Sequence, residues 1–285
     1  MKKATTPQRN TMTIKTSLMA LALMTAFLGG SKALALDPMG PPAAGLQHGQ
    51  FKAGIDYSHS EMDLELNEGT WVEFLDGAFS DEGDATSFTL KNFKTNRTYA
   101  NLGYGVADIC EVFLRVGGAN AKFGDSLWED EERFDSSSGF ALGGGIKATF
   151  LEEGNLKLGG LFQMSWSEYS GLLDAAHWAA PDFVEVDIAE IQIGVGATYM
   201  LSDRASVYAG PFLHFVGGDL DDVYSEVDGG GGQLTSHYSW NIKQDSIVGI
   251  YVGTQLELTE NCSFNVELQG TASAQAVGAS LAWRF

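Results

Sequence analysis

Residues 276–285 read AVGASLAWRF. Val277, Ala279, Leu281, Trp283 and Phe285 fall on one side of an extended backbone; Ala276, Gly278, Ser280, Ala282 and Arg284 fall on the other. Side chains alternate across a strand, so this stretch is a strand with one apolar row ending in aromatics and one small or polar row. The stretch before it repeats the pattern, with Phe264, Val266 and Leu268 against Ser263, Asn265, Glu267 and Gln269. Upstream again, Val248, Ile250, Val252, Thr254, Leu256 and Leu258 oppose Gly249, Tyr251, Gly253, Gln255 and Glu257.

Outward from this end, period-two segments recur at 49–60, 94–106, 111–123, 139–150, 155–168, 185–200, 206–217, 238–258, 263–270 and 276–285. One breaks phase: Val184, Val186 and Ile188 are even, whereas Ile191, Ile193, Val195 and Tyr199 are odd. A bulge near Ala189 is expected there. Turns at Ala107–Cys110, Leu151–Gly154, Leu201–Ala205 and Thr259–Cys262 are short, and the alternate connections 61–93, 124–138, 169–184 and 218–237 are long. Short turns at one end and long loops at the other are the pattern of a transmembrane antiparallel β-barrel. About ten strands are expected, between 8 and 12, and an even number puts both termini on the periplasmic side.

A soluble lipocalin-like barrel or β-sandwich would turn its apolar face inward. Here the polar face is crowded with glycine (Gly54, Gly103, Gly105, Gly143, Gly145, Gly159, Gly194, Gly196), which suits a narrow lumen. Aromatics gather at both ends of the apolar face: Phe51, Phe150, Tyr199, Trp283 and Phe285 near the turns, Tyr57, Phe140, Trp166, Phe215 and Trp240 near the loops. Two girdles bounding an apolar band mark two lipid interfaces.

The N-terminus reads as a secretory signal, residues 1–35. Lys2, Lys3, Arg9 and Lys15 precede the apolar run LMALALMTAFL at 18–28, and Ala33-Leu34-Ala35 offers a cleavage site after Ala35. The run is too short for a membrane helix, which needs about 20 residues. Residues 36–48 (LDPMGPPAAGLQH) hold three of the six prolines and are expected to be a linker before a barrel at 49–285. Five of the 17 Lys and Arg and none of the 37 Asp and Glu lie in the signal, so the remainder carries 12 against 37, a net charge of −25. Such a surface repels nucleic acid and attracts cations. Cys110 and Cys262 form no disulfide framework.

The ending AVGASLAWRF and the turn-bearing stretches GVADICEVFLRVG and LSDRASVYAGPF resemble bacterial, Gram-negative-type outer-membrane β-barrel proteins. The resemblance covers 49–285 and names no functional family. It implies an outer-membrane location with extracellular loops, and lipid and the barrel-assembly machinery as partners. It also implies an assembly signal in the row Val277, Leu281, Trp283 and Phe285.

Several constellations bear on function. The inward row holds Lys52, Asp56, Arg97, Asn101, Arg115, Lys147, Lys157, Glu190, Gln192, Glu267 and Arg284, which reads as an ion-pair lattice or as the lining of a solute path. Inward Tyr99, Phe113, Leu161, Tyr208, Phe212 and Tyr251 are expected to fill much of a ten-stranded lumen. Three connections are acidic: Glu61, Asp63, Glu65, Glu68, Glu73, Asp76, Asp81, Glu82 and Asp84; Asp125, Glu129–Glu132 and Asp135; Asp219, Asp221, Asp222, Glu226 and Asp228. Loose carboxylates of this kind suit solvated loops or divalent cations such as calcium, although no EF-hand spacing is present.

His237 and Ser239 resemble the dyad of outer-membrane lipid A deacylases, but their expected parity with Gly249 and Gly253 is inward. Asp174 and His177 have the wrong spacing for an omptin-type protease, and His214, inward with Asp219 nearby in sequence, reads as a satisfied lone histidine. The expectation is therefore a non-enzymatic barrel with a structural or surface role and no cofactor. A narrow porin-like channel and a loop-based adhesin or calcium or ligand binder are the alternatives, and a barrel enzyme stands behind both.

Overall fold

The computed structural model describes residues 36–124, 133–174, 182–227, 230–243 and 247–285. Residues 1–35, expected to be a signal, and the five acidic residues between 125 and 132, together with His177 and Asp228, lie outside them. The described residues form thirteen strands: β1 (Phe51–Leu75), β2 (Ala78–Ala85), β3 (Phe88–Ala107), β4 (Cys110–Gly124), β5 (Arg133–Asp135), β6 (Gly139–Glu153), β7 (Leu156–Asp174), β8 (Asp182–Ser202), β9 (Ala205–Val227), β10 (Gln233–Lys243), β11 (Val248–Glu257), β12 (Cys262–Thr271) and β13 (Ala274–Arg284). All pairings are antiparallel. The ring runs β1-β3-β4-β6-β7-β8-β9-β11-β12-β13 and closes on β1, so ten strands form the barrel. Among the described residues no helix is long and apolar enough to cross a membrane, so the crossing is made by strands.

The expected segment 238–258 is two strands. β11 pairs with the lower part of β9, whereas β10 pairs with its upper part and crosses to the upper part of β1. The connections 61–93 and 218–237 are also mostly strand: β1 runs on to Leu75, β2 folds back along it, and β9 runs on to Val227. The barrel wall therefore rises well past the segments read from the sequence.

The reason those segments seemed to stop is visible along β8. Its register with β7 is unbroken from Leu173↔Asp182 to Leu156↔Tyr199, so the bulge expected near Ala189 is absent. Val184, Val186 and Ile188 are buried inside the barrel, and so are Glu190 and Gln192 on the same face. Ile191, Ile193 and Val195, on the opposite face, are exposed. The strand does not slip; the apolar residues change sides. The same inversion occurs on β1, where Ile55 and Tyr57 face out while Met62, Leu64 and Leu66 face in.

Physics requires the inversion wherever a barrel leaves lipid. Inside the bilayer the outer face meets hydrocarbon and must be apolar; above it the outer face meets water and the apolar residues must turn to the core. From Ala189, opposite Trp166, to Tyr199 is ten residues of β8. At about 3.3 Å per residue and about 40° of tilt this gives roughly 25 Å, the height of a lipid-facing band. Phe140, Trp166, Phe215 and Tyr57 are exposed at its upper edge, and Phe51, Phe150, Tyr199, Trp283 and Phe285 at its lower edge. Trp240 leaves the expected girdle: it packs on the core above the band and donates Nε1–H to Thr86 O at 3.2 Å.

Residues 36–46 are not a free linker. They enter the lumen from the turn end, and Leu36, Asp37, Met39, Ala43 and Leu46 are buried there. The wall glycines make room. A Cβ at Gly105 would lie 1.9 Å from Gln47 O, and one at Gly159 would lie 2.6 Å from Ala43 Cα.

Candidate functional site

The lumen has three layers. The lowest holds the N-terminal segment, gripped through its backbone by side chains from several strands. Gln163 and Gln269 donate Nε2–H to Asp37 O at 3.1 and 2.7 Å. Arg115 donates to Pro38 O at 2.7 Å, and Lys147 to Pro41 O at 3.0 Å. Glu267 accepts the N–H groups of Met39 and Gly40, each at 2.8 Å, Thr149 Oγ1 accepts that of Ala44 at 3.1 Å, and Glu111 accepts that of Gly45 at 2.9 Å. Glu111 is also paired with Lys52, and Arg115 Nε lies 2.8 Å from Asp56 Oδ2. Leu36 and Met39 pack with Leu161, Tyr208, Phe212, Tyr251 and Ala276. Beside the segment a small polar cavity remains, lined by Lys52, Asn101, Asn265, Ser280 and Arg284 among others.

The middle layer is ionic. Arg97, fully buried, pairs with Glu190 through Nη2, lies 3.3 Å from Asp37 Oδ1 through Nη1, and donates Nε–H to Tyr169 Oη at 3.0 Å. Tyr99 donates its hydroxyl to Asp37 Oδ2 at 3.1 Å, and His214 Nε2 lies 2.9 Å from Glu190 Oε2. A single guanidinium thus bridges the N-terminal segment to the wall. A buried charge is tolerable only when paired and hydrogen-bonded, and Arg97 meets that condition on all sides of its fork.

The upper layer is oil-like. Met62, Leu64, Leu66, Leu90, Phe93, Phe123, Phe134, Leu173, Val184, Val186, Ile188, Leu220 and Ile242 form one buried cluster. Phe123 stacks on Phe134 at 4.5 Å and on Phe93 at 5.9 Å. Outside this layer the wall is acidic: Glu61, Asp63 and Glu65 alternate with Met62 and Leu64 on β1, and Glu168, Asp187 and Asp219 stand directly opposite one another on β7, β8 and β9. Burial, then the neighbours Glu168, Asp219 and Asp221, push the Asp187 carboxyl above its usual range. Among the described residues, no group of three or more His, Cys, Asp or Glu is arranged to hold a metal ion.

Each of the described residues singled out in the sequence has a place. The inward charged row faces the lumen, except that Lys157 sits at the rim with Glu152 at 2.9 Å. Tyr99, Phe113, Leu161, Tyr208, Phe212 and Tyr251 are buried as expected. His214 is buried, but Asp219 is exposed on the opposite face, so the two do not meet. His237 and Ser239 face outward, not inward: the buried residues of β10 are Ser236 and Ile242. Inward positions are even on β10 and odd on β11. His237 packs edge-on against Phe74, ring centroids 5.7 Å apart. Asp174 ends β7 opposite Arg133. Val277, Leu281, Trp283 and Phe285 line one face of β13, with Trp283 and Phe285 exposed. Cys110 and Cys262 are unpaired. What the sequence did not disclose is the gripping of residues 37–45, because a proline-containing stretch carries no periodicity and its partners are distant in the chain.

No protein-family model matches the chain, and no curated protein matches it. Among solved structures it is similar to the outer membrane protease OmpT from Escherichia coli, at 13% identity over 81% of this chain and 97% of that one, TM-score 0.44. It is also similar to the outer membrane protein OprG from Pseudomonas aeruginosa, at 10% identity over 85% and 98%, TM-score 0.41. A third is the translocator domain of the autotransporter NalP from Neisseria meningitidis, at 10% identity over 96% of both chains, TM-score 0.42. Likeness this distant assigns no activity. The closed ten-stranded ring, its lipid-height apolar band and its two aromatic girdles make the chain a β-barrel of a bacterial outer membrane.

Proposed function

We propose that this is a non-conducting, non-enzymatic barrel whose working surface is the acidic wall above the lipid. The observation that carries the reading is the filled lumen: the N-terminal segment below, the Arg97–Glu190 layer in the middle and the apolar cluster above occupy it along its length. A porin-like path would have to expel residues 36–46 and part a packed apolar core. Of the carboxylates assigned to loops from the sequence, the described ones other than Asp76 lie on strands, so what meets this part of the wall meets negative charge held on a sheet. Planar-bilayer recording of the folded protein tests this. Current indistinguishable from the bare membrane is expected, and stable, voltage-independent conductance steps would overturn the reading in favour of a channel.

A further inference from the structure

The lumen's grip on residues 37–45 has the makings of a receptor. Seven side chains, Glu111, Arg115, Lys147, Thr149, Gln163, Glu267 and Gln269, bond the segment's backbone N–H and C=O groups. They sit on β4, β6, β7 and β12, and none needs a particular side chain on the segment. Selectivity enters through side chains at three residues: the Asp37 carboxylate meets Arg97 and the hydroxyls of Tyr99 and Ser58, and Leu36 and Met39 pack into the apolar cluster beside it. Pro38, Pro41 and Pro42 restrict the segment's backbone before it binds, which lowers the ordering entropy it must lose. Main-chain hydrogen bonds that give affinity, with side-chain pockets that give specificity, are how peptide-binding domains work.

We propose that the lumen is a peptide-binding site open to the periplasmic end, that its ligand class is a proline-containing peptide with an acidic residue near its N-terminus, and that residues 36–46 occupy it as a ligand in cis. The proposal rests on the lumen's contacts and is independent of what the acidic wall does. A tethered ligand has an effective concentration in the millimolar range, so a free peptide competes poorly until the tethered one is weakened. Asp37→Arg weakens it specifically, by setting a cation against Arg97 while leaving every wall residue in place.

The test uses residues 36–285 folded in detergent micelles, and a synthetic peptide of residues 36–48 labelled at its His48 end, which lies at the exposed rim. Fluorescence anisotropy is expected to show saturable binding of the peptide to the D37R protein, at least about tenfold tighter than to the parent. A peptide that itself carries Asp37→Arg is expected not to bind. A second measurement reports the tethered segment directly: the thiol introduced by Ala43→Cys should resist maleimide in the parent and react in the D37R background. Peptide mass mapping counts it apart from Cys110 and Cys262. If that thiol reacts and heat-modifiable mobility shows a folded barrel, yet no saturable binding appears, the site is not a receptor. If it stays protected, Asp37 is not the anchor and the proposal fails. Equal binding of both peptides to both proteins would also overturn it.

Discussion

Ile188 and Glu190 point into the same lumen from the same strand, two residues apart, and between them the inside of the barrel changes from apolar to ionic. Their outward neighbours change the other way: Asp187 faces water and Ile191 faces lipid. One strand thus obeys the rules of a soluble barrel above this step and those of a membrane barrel below it. The step places the outer lipid boundary without reference to any loop.

The acidic row above the boundary is expected to work against stability. Asp187 stands opposite both Glu168 and Asp219, and like charges directly opposite on adjacent strands are destabilising. Its folded-state pKa is raised, so the charged form is the disfavoured one, and stability is lost as pH rises through the raised value. Asp187→Asn should therefore raise the thermal midpoint at pH 8. The gain should vanish at pH 3, below the unfolded carboxyl value of about 3.9. Equal midpoints at pH 8 would show that the row carries no repulsion.

Arg97 is expected to hold the middle layer together. Arg97→Met leaves the carboxylates of Asp37 and Glu190 buried without their shared cation, and breaking such a pair costs about 3–5 kcal/mol. Urea unfolding in lipid vesicles should show that loss, and adding Glu190→Leu to the same chain should restore part of it. A loss under about 1 kcal/mol for Arg97→Met alone would mean that solvent reaches the layer.

Phe285 closes the ring as well as ending the lipid-facing row. Phe285 N donates to Phe51 O at 2.9 Å, and Phe51 N donates to Phe285 O at 3.3 Å. Deleting Phe285 removes both bonds and an exposed aromatic of the lower girdle. We expect the outer-membrane yield of heat-modifiable protein to fall several-fold, whereas Phe285→Trp should keep most of it. Normal yield after deletion would remove this residue from the assembly signal.

The lipid-spanning half was legible from the sequence because its alternation is strict: AVGASLAWRF and the segments like it fall in the ring with their apolar rows outward. The outer half was not. Where Met62, Leu64 and Leu66 take the even positions after Ile55 and Tyr57 hold the odd ones, a reader expecting one apolar face sees the strand end, or sees a bulge as at Ala189. One signal was available: Asp76-Gly77, both with positive φ, makes the two-residue turn of the β1–β2 hairpin, and Asp-Gly between alternating stretches is a strong hairpin mark. The occupied lumen left no trace in residues 36–46 themselves; only the abundance of inward glycines, such as Gly105 and Gly159, hinted that something thicker than side chains passes through.

The central claim, that one continuous wall lies half in lipid and half in water, is tested most directly by spin labels on the outward positions of β8. Labels would be placed singly at Phe183, Glu185, Asp187, Ile191, Ile193 and Val195 in protein folded into lipid vesicles, and their collision rates with oxygen and with a water-soluble nickel chelate compared. The account predicts that the nickel chelate dominates at 183, 185 and 187 and oxygen at 191, 193 and 195, with the crossover between 187 and 191. Oxygen dominance extending to 183, or nickel access at 193 and 195, would contradict it.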